Sequence, residues 1–561
     1  LFIIYCIIIL RVMEVILMKE KWWKNAVIYQ IYPRSFKDDN NDGIGDLKGI
    51  ISKLDYLEFL GIDAIWLSPV YKSPMEDNGY DVEDYHQIAE VFGTMEDMEN
   101  LIKEGKKRNI RIIMDLVANH TSKEHKWFKE ACKSVDNPYH DFFYWRDKKD
   151  DKESSFGGSS WEYVPELNKY YYHYFAKGQV DLNWTNPKVR EEIAKMINWW
   201  LDKGVAGFRM DAIELIGKDL DNNIFANGPK IHDYLHELNE KSFGKYEDSI
   251  TVGEGWPTTK IALDYTLPER KEIDMMFQFE SAAIDWNSNA FGKFDPLPLD
   301  FVKLKEIFSH WQKDLYNKSW NALFWENHDL ARSVSRFGDD RFYWQESAKA
   351  LAIMLMLMQG TPFIYQGEEI GMTNCYFRKL EDYQDVDSFG RYQELVIDKK
   401  LISEYNFIQG LAKGSRDNAR SPMQWDDSVN AGFNTGAKTW LKVTPNYKTI
   451  NVKQQINDKD SILWTYKNLI SLRKNPKYHD TIRFGSYEQY LPEDKNFYLY
   501  SRKYNNQELL VVINFSREEN ILNFKEKKVK EILISNYKDS PLNLENVSLR
   551  PYEAIVYLLQ D

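Results

Sequence analysis

The stretch GFRMDAI at residues 207–213 is a short apolar run that carries an arginine and an aspartate. Runs of the same strand-like kind recur along the chain, with amphipathic segments such as LKGIISKLDYLEFLG (47–61) and MEDMENLIKEGKKRN (95–109) between them. The other seven runs are VIYQIYP (27–33), IDAIWLSP (62–69), RIIMDLV (111–117), ITVGEGW (250–256), MFQFE (276–280), NALFWENHD (321–329) and PFIYQG (362–367). Eight alternating β and α units predict an α/β fold, the (β/α)8 or TIM barrel.

Three other regions are expected to add to this barrel, which we place at residues 18–479. The Gly- and Tyr-rich residues 120–182 predict a small domain inserted after the third strand. Residues 372–460 form a long segment without clear periodicity, which we expect to be irregular. Short alternating strands such as ELLVVINFS and YEAIVYLL then predict a C-terminal antiparallel β-sandwich domain at residues 480–561.

The first 17 residues, LFIIYCIIILRVMEVIL, differ from the rest of the chain. Their unbroken apolar run, residues 1–10, is shorter than the roughly 20 residues that span a bilayer. They also lack a basic start and a small-residue cleavage site, whereas Met18 opens an ordinary soluble sequence. We therefore interpret residues 1–17 as a non-native extension of a cytoplasmic protein without a membrane partner; a signal anchor is the alternative.

Charge and cysteine content exclude two classes of protein. The formal net charge of −13 argues against a nucleic-acid partner, which requires a basic face. Cys6, Cys132 and Cys375 are scattered and show no CxxC spacing, so they predict neither a disulfide framework nor a zinc site. Such free thiols are typical of a reducing compartment. We expect a monomer or a weak oligomer that acts on small molecules.

Three carboxylates follow different predicted strands: Asp211, Glu254 and Asp329. In a (β/α)8 barrel the chemistry takes place at the C-terminal ends of the strands, where all three fall. A single residue of this kind is more often part of a turn or an ion pair. Three on separate strands outweigh that interpretation and indicate an active site.

The neighbours of two carboxylates predict different protonation states. Arg209 lies two residues before Asp211 on one strand, so the two side chains share a face and the guanidinium should lower the pKa of Asp211. Glu254 lies between glycines and next to Trp256 with no adjacent cation, so it should keep its proton. An ionised nucleophile and a protonated acid about 5–5.5 Å apart are what a retaining glycosidase requires.

Four segments resemble the hallmark segments of glycoside hydrolase family 13 α-glucosidases, in the oligo-1,6-glucosidase and maltase branch. They are DLVANH (115–120), GFRMD (207–211), VGE (252–254) and ENHD (326–329). QVDLN (179–183) resembles a fifth segment, with Val180 in place of a proline. The resemblance runs from about Lys21 to the C-terminus.

The resemblance implies a role for each matching residue. Asp211 would be the nucleophile, Glu254 the acid/base and Asp329 the stabiliser of the transition state. The substrate-binding residues would be Asp77, Tyr80, His120, Arg209, His328 and Arg416. Asp77 and Arg416 would close the pocket behind the terminal glucose, which implies exo action, although Arg416 could also lie in a solvated loop. Asp115 is expected to be a structural partner of Arg209.

The segment DDNNDGIGD (38–46) has the spacing of a calcium loop. The expected ligands are the side chains of Asp38, Asn40, Asp42 and Asp46 and the carbonyl of Ile44. Gly49 stands where an EF-hand has its bidentate glutamate, so this is not an EF-hand. The resemblance implies one structural Ca²⁺ (or Mg²⁺); an acidic turn that holds water is the alternative.

The preferred bond is less well determined. In the branch that this chain resembles, valine after the nucleophile accompanies α-1,6 activity, whereas alanine, as at Ala212, accompanies α-1,4 activity. We therefore expect maltose-type or mixed α-glucosides, with sucrose also open. A trehalose-6-phosphate hydrolase would need a cationic phosphate clamp, for which Lys293 is the candidate.

Two further alternatives remain. A sucrose isomerase or other transglucosidase is similar at FGDDR (337–341) and TPFIYQG (361–367), but the RLDRD loop that marks the isomerases is absent before the seventh strand. A non-catalytic heavy chain of an amino-acid transporter would need a membrane helix, and the apolar start is too short for one.

Overall fold

The computed structural model describes residues 21–560, so the interpretation of residues 1–17 lies outside the described residues. Eight short parallel strands form one sheet. They are β1 (Ile28–Ile31), β2 (Ala64–Leu67), β3 (Arg111–Val117), β4 (Gly207–Asp211), β5 (Ile250–Gly253), β6 (Met275–Met276), β7 (Ala322–Leu323) and β8 (Thr361–Tyr365). Their order in the sheet is β6-β5-β4-β3-β2-β1-β8-β7. A parallel bridge between Met276 and Asn321 joins its two edges and closes the barrel, which confirms the predicted fold.

Helices follow the strands and pack outside the sheet, as the amphipathic segments predicted. The first predicted helix is divided in two at Ser52 and Lys53. The helices are Leu47–Ile51 and Leu54–Leu60, then Met95–Lys107, Pro187–Asp202, Ile231–Lys241, Thr259–Thr266, Phe301–Asp314, Trp344–Met356 and Ile462–Lys474. Shorter helices are Pro33–Phe36, Ser333–Arg336 and His479–Phe484. Among residues 21–560, no helix combines the length and the apolar character needed to cross a bilayer.

Strands β6 and β7 are shorter than predicted. The sequence predicted strands over residues 276–280 and 321–329, but each strand has only two residues. After β6 the side chain of Gln278 accepts a hydrogen bond from the Ser281 amide and caps a helix at Phe279–Ala282. After β7 the side chain of Asn327 accepts from the Asp329 amide. Local side-chain caps therefore end both strands, although their residues have high β propensity.

An inserted segment after β3 carries its own sheet, which confirms the predicted insertion, while its boundaries at residues 120 and 182 stay a prediction. The strands Trp145–Arg146, Lys169–Tyr172 and Trp161–Val164 pair in that order. At the base of the insertion, His120–Ser122 pairs antiparallel with Gln179–Asp181. This pairing holds His120 and Gln179 near the C-terminal end of β3.

The segment after β8 is more ordered than expected. The prediction of irregular structure over residues 372–460 is wrong, because this region contains several helices. They are Val386–Tyr392, Glu404–Gly414, Asp417–Arg420 and Val452–Asn457, with a π-helix at Gln393–Asp398. Short helices of this kind depend on caps such as Ser403, whose side chain accepts from the Asn406 amide. Their apolar stripes are too short to show a clear period.

The C-terminal region forms a five-stranded antiparallel sheet and a smaller two-stranded one, which confirms the predicted antiparallel domain. The larger sheet contains, in spatial order, Ser486–Tyr490, Phe497–Tyr504, Gln507–Asn514, Ala554–Leu559 and Val529–Ser535. The smaller sheet, Asn520–Leu522 with Val547–Leu549, packs on one face of it. Lys305 of the barrel donates to the carbonyls of Leu491, Asp494 and Phe497 and so fixes the domain to the barrel. The boundary at residue 480 remains a prediction.

Candidate active site

A cavity of about 520 Å³ opens at the C-terminal ends of the barrel strands. Seven of the nine predicted catalytic and substrate-binding residues line it: Asp77, Tyr80, His120, Asp211, Glu254, Asp329 and Arg416. The other two, Arg209 and His328, are 1% exposed and stand behind the cavity wall. The fold thus brings together residues that are more than 300 positions apart in the chain.

Arg209 on β4 connects the carboxylates at the base of the cavity. Its Nη1 donates to Oδ1 of Asp115 at 2.7 Å and to Oδ1 of Asp211 at 2.9 Å. The predicted shared face of Arg209 and Asp211 is confirmed. Asp115 is completely buried and pairs with Arg209, so it is the structural partner that we expected.

Glu254 also lies beside this arginine. Its Oε1 is 2.5 Å from Nη2 of Arg209, without the alignment of a hydrogen bond, and its Oε2 accepts from the Ala212 amide at 3.1 Å. The expectation that Glu254 has no adjacent cation is therefore wrong. The prediction considered only the residues next to Glu254 in the chain. Arg209 comes from the neighbouring strand β4, where it is in register with Val252 of β5.

The predicted low pKa of Asp211 is also wrong. Burial raises the pKa of Asp211 well above its usual value, and although Arg209 opposes this, Glu254, Asp115 and Asp329 add to the rise. Burial likewise raises the pKa of Glu254. Two buried carboxyls around one guanidinium hold a proton more readily than either would alone, so the pair favours a state in which one carboxyl is protonated.

Asp329, the third carboxylate, has a different environment. Its Oδ1 accepts from Nη1 of Arg416 at 3.0 Å and from Nη2 of Arg420 at 2.9 Å. Nε2 of His328 lies 3.2 Å from its Oδ2. Burial opposes ionisation, but these three neighbours hold the pKa of Asp329 well below its usual range. Asp329 is therefore ionised in the free protein.

Arg416 closes one end of the cavity. Besides Asp329, it donates to Oδ1 of Asp77 at 3.2 Å and to Oδ1 of Asp385 at 2.9 Å from its Nε. Burial raises the pKa of Asp77 to about 6, with Arg416 and Arg420 opposing the rise. The solvated-loop alternative for Arg416 does not hold, because this residue is 6% exposed and its side chain is bonded to three carboxylates.

Two neutral histidines and a tyrosine complete the base of the cavity. Tyr80 stacks on His328 at 5.2 Å between ring centroids and donates to Oδ2 of Asp115 at 3.1 Å. Nδ1 of His328 lies 2.8 Å from the Gln30 amide nitrogen, which leaves the proton on Nε2, beside Asp329. Burial lowers the pKa of His328 to about 3 and that of His120 to about 4. Both rings act as neutral hydrogen-bonding groups.

The comparison with protein families agrees with this geometry. Residues 30–481 match the alpha amylase catalytic domain, and residues 498–556 match the C-terminal domain of alpha-amylase SusG. The chain belongs to the alpha-amylase family. It is therefore a glycosidase, as predicted, with its paired carboxylates at the C-terminal ends of β4 and β5.

The relatives of this glycosidase align over almost its whole length. An oligo-1,6-glucosidase of Bacillus cereus is 49% identical, over 97% of this chain and 100% of that protein. A glucan 1,6-alpha-glucosidase of Streptococcus pneumoniae is 50% identical, over 96% and 99%. A crystal structure of trehalose-6-phosphate hydrolase from Bacillus licheniformis has a TM-score of 0.91 at 43% identity, over 97% and 100%.

Sequence reasoning missed several residues of the glycosidase site. Asp385 lies in the segment that was expected to be irregular, and it anchors Arg416. Arg420 could have been found, since it ends the short helix Asp417–Arg420 that Arg416 caps, four residues later and so on the same face. On the open side the cavity is lined by residues that include Trp256, Trp286, Lys293 and Asp387. Phe156 and Arg391 also line the cavity, and the Phe156 ring lies 5.2 Å from the guanidinium of Arg416.

The predicted calcium loop is folded back on its own backbone. Asp38 accepts from the amides of Asn41 and Gly43, and Asp46 accepts from the amide of Gly49 at the start of the helix Leu47–Ile51. In the described part of the chain, no three His, Cys, Asp or Glu side chains are grouped as metal ligands. The donor types fit calcium, but the hydrogen bonds also fit the alternative of an acidic turn.

Proposed function

We propose that this glycosidase is an exo-acting retaining α-glucosidase that releases the non-reducing terminal glucose of short α-glucosides. The observation that carries the proposal is the closed end of the cavity, where Arg416 connects Asp77 and Asp329. Asp211 and Glu254 line the same cavity. We infer that this buried, ion-paired wall leaves no room for a further sugar residue behind the one at the reacting position. A pocket closed on one side binds the end of a chain.

The proposed reaction proceeds through a glucosyl-enzyme. A carboxylate oxygen of Asp211 attacks the anomeric carbon, and the bond to the leaving oxygen breaks as Glu254 gives that oxygen its proton. Water then loses a proton to Glu254 and attacks the same carbon, which releases Asp211 and gives glucose with retained α configuration. Ionised Asp329 stabilises the positive charge that develops on the sugar.

The raised pKa of Glu254 fits both halves of this reaction. Burial raises the pKa of Glu254 and so favours the protonated form that the first step needs, while Arg209 opposes this rise. In the glucosyl-enzyme Asp211 is an ester and carries no charge. The charge of Glu254 raises the pKa of Asp211, so the two carboxyls are coupled. Loss of the Asp211 charge in the ester should therefore make Glu254 easier to ionise, which suits it as the base.

For the substrate we propose isomaltose- and maltose-type oligosaccharides, with sucrose to be tested beside them. The names of the two bacterial relatives, oligo-1,6-glucosidase and glucan 1,6-alpha-glucosidase, favour α-1,6 bonds. Ala212 favours α-1,4 or mixed activity by the resemblance described above. A change of this size in a pocket is worth only about 1–3 kcal/mol, so mixed activity is the expected outcome.

Trehalose-6-phosphate hydrolysis is the second proposal, favoured by the structural relative from Bacillus licheniformis. The candidate clamp Lys293 lines the cavity, but its Nζ is 2.5 Å from Oδ2 of Asp387, which lines the cavity as well. A lysine that is already paired with a carboxylate attracts a phosphate less strongly. This pair supports an uncharged leaving group.

Product analysis separates these possibilities. The enzyme is incubated separately with maltose, isomaltose, sucrose and trehalose 6-phosphate, and the products are separated by chromatography. Free glucose from maltose or isomaltose supports the α-glucosidase, and the ratio of rates gives the bond preference. Isomerised disaccharide from sucrose would favour a transglucosidase. Turnover of trehalose 6-phosphate and of none of the other three sugars would favour the second proposal. No turnover of any of the four sugars contradicts both.

We further propose a structural Ca²⁺ held by Asp38, Asn40, Asp42, Asp46 and the Ile44 carbonyl. Its support is the ligand spacing, together with the burial of Asp38 and Asp46, at 2% and 4% exposed. The ion would stabilise the loop and take no part in the reaction. Metal analysis of exhaustively dialysed protein should find one bound divalent ion per chain, and the absence of any ion contradicts the proposal.

A cytoplasmic location and a monomer or weak oligomer are also proposed. Cys132 and Cys375 are free thiols, which suits a reducing compartment. The acidic charge supports the absence of a nucleic-acid partner. Cell fractionation tests the location, and light scattering on the purified protein measures the oligomeric state.

A further inference from the structure

Glu214 is a buried carboxyl on the cavity wall that the proposed reaction does not use. It lies three residues after Asp211, in the short 3-10 turn Ile213–Leu215 that follows β4. Only 7% of the residue is exposed, yet it lines the cavity. A carboxyl at such a position is expensive to bury unless its oxygens have partners.

One oxygen of Glu214 holds the turn that follows the acid/base residue. Its Oε2 accepts from the Trp256 amide at 3.0 Å and from the side-chain amide of Asn227 at 3.4 Å. Gly255 permits this contact, since a Cβ there would lie 2.8 Å from the same oxygen. Glu214 therefore helps to fix the backbone between Glu254 and Trp256.

Both hydrogen bonds to the Glu214 carboxyl reach Oε2, and within residues 21–560 the other oxygen, Oε1, has no hydrogen-bond partner. It is also not among the fully enclosed polar atoms that lack a partner, so it is accessible from the cavity. Burial raises the pKa of Glu214, while the bonds from Trp256 and Asn227 oppose the rise. An accessible acceptor on a cavity wall is suited to a hydroxyl group of the substrate.

The residue whose amide Glu214 binds also carries an exposed aromatic ring. Trp256 lines the cavity and is 53% exposed, and its ring stacks on Phe279 at 4.8 Å and approaches Trp286 at 5.5 Å. These contacts fix the ring in place while leaving much of its surface free. A flat apolar surface and a carboxylate oxygen in the same cavity match a sugar ring, which offers C–H groups on its face and hydroxyl groups at its edge.

We propose that Glu214 binds the leaving-group sugar: Oε1 accepts a hydrogen bond from a hydroxyl of the sugar that rests against Trp256, while Oε2 holds the backbone of the Glu254 turn. The proposal rests on the proposed α-glucosidase function and extends it to the leaving group. It makes Glu214 a specificity residue that favours hydroxylated leaving groups over apolar ones.

The test compares substrates that share the glucosyl group and differ in the leaving group. Isomaltose and maltose release a sugar, whereas p-nitrophenyl α-glucoside releases a phenol without a sugar hydroxyl. In Glu214→Gln the side-chain carbonyl still accepts from the Trp256 amide, but the negative acceptor is lost. We expect kcat/KM to fall about tenfold for the preferred disaccharide and less than about twofold for the p-nitrophenyl substrate.

The control is Asp219→Asn, which removes a charge from the same loop at a residue that does not line the cavity. Asp219→Asn should leave kcat/KM unchanged for both the disaccharide and the p-nitrophenyl substrate. Glu214→Asp is the substitute variant if Glu214→Gln fails to fold. It keeps the charge but withdraws it by one methylene, so it should also lower the ratio of kcat/KM for the disaccharide to kcat/KM for the p-nitrophenyl substrate.

Two results overturn the proposal. If kcat/KM of Glu214→Gln falls by the same factor for all substrates, Glu214 acts only through the Glu254 turn. If kcat/KM falls for none of them, Glu214 contacts no substrate. The proposed function is tested separately by the unmodified enzyme: if it releases no glucose from any of the three substrates, that function fails, whatever the variants do.

Discussion

The two ends of the catalytic cavity differ in chemistry. At the closed end charged groups are buried and paired, with Arg416 bonded to Asp77, Asp329 and Asp385. At the open end Trp256 and Trp286 line the wall together with the ion pair of Lys293 and Asp387, and Trp256 is about half exposed. Fixed ion pairs recognise one sugar in one orientation, because a misplaced hydroxyl leaves a buried charge without a partner. Aromatic faces accept leaving groups of several shapes.

This difference assigns recognition of the terminal glucose to the closed end and selection of the leaving group to the open end. Changes at the closed end should affect every substrate by a similar factor, since all of them share the terminal glucose. Changes at the open end should alter the ratio between substrates and leave the release of glucose itself intact. The relatives named for different glucosides fit this division, because they align over almost the whole chain and differ in the name of the substrate.

The reacting centre lies between the two ends, and its loss should have the largest effect. Asp211→Asn should lower kcat by about 10⁴-fold or more for every substrate, because the amide cannot form the glucosyl ester. Turnover assays on maltose, isomaltose and p-nitrophenyl α-glucoside measure this, with circular dichroism to verify the fold. Asp233→Asn, at an exposed position on the helix Ile231–Lys241, is the control. Substantial residual activity in Asp211→Asn contradicts the assignment.

At the closed end, Arg416→Ala should affect stability and activity together. It leaves three carboxylates without their shared guanidinium, and breaking a buried pair costs about 3–5 kcal/mol. We expect kcat/KM to fall ten- to a hundredfold by a similar factor for all substrates. Denaturant unfolding and kinetics measure the two effects, and Arg416→Lys, which keeps the charge, should be milder. If the fall in kcat/KM of Arg416→Ala differs strongly between leaving groups, the closed end also contributes to the choice of leaving group, which contradicts the division between the two ends.

The pH dependence of the closed end follows from Asp77, whose pKa is raised by burial to about 6. As pH falls below this value Asp77 gains a proton and its ion pair with Arg416 is lost, so kcat/KM should decline. The stability effect has the opposite sign. Between about pH 4 and 6 the native state binds more protons at Asp77 than the unfolded state, so its contribution to the free energy of unfolding decreases as pH rises.

Asp77→Asn tests both effects of this ionisation. The variant should have lower kcat/KM throughout, but the decline that belongs to Asp77 should disappear from its pH profile. Its free energy of unfolding should also depend less on pH between about 4 and 6. If the variant keeps the profile of the unmodified enzyme, the decline belongs to other carboxyls, such as Asp211 or Glu254.

The smallest effect is expected at Ala212, which lines the cavity and follows Asp211 in the chain. Its backbone is left-handed, with φ 42° and ψ 41°, which a β-branched residue disfavours. Ala212→Val should lower the free energy of unfolding by about 1–2 kcal/mol and change the isomaltose to maltose rate ratio by up to about tenfold. Ala212→Gly, which accepts this backbone, should not be destabilised by strain. An unchanged ratio in Ala212→Val would remove this residue from bond selection.

Much of this molecule could be predicted from its sequence, because local patterns determine it. The β strands and their terminal carboxylates follow from apolar runs that end in polar residues, as at Asp211. Contacts between strands could not be predicted in the same way. Arg209 reaches Glu254 from the neighbouring strand, so the electrostatic distinction between Asp211 and Glu254 was wrong. Asp385 was missed because its segment has no long apolar period.

The central claim is that Asp211 forms a covalent glucosyl-enzyme, and trapping that intermediate tests it most directly. A 5-fluoro-α-glucosyl fluoride transfers its sugar quickly, whereas the fluorine at C5 slows the release by water. The enzyme is treated with this reagent, digested and analysed by mass spectrometry. The account predicts one added fluoroglucosyl group on the peptide that contains Asp211, and none in Asp211→Asn. An adduct on another carboxylate, or rapid turnover by Asp211→Asn, would contradict it.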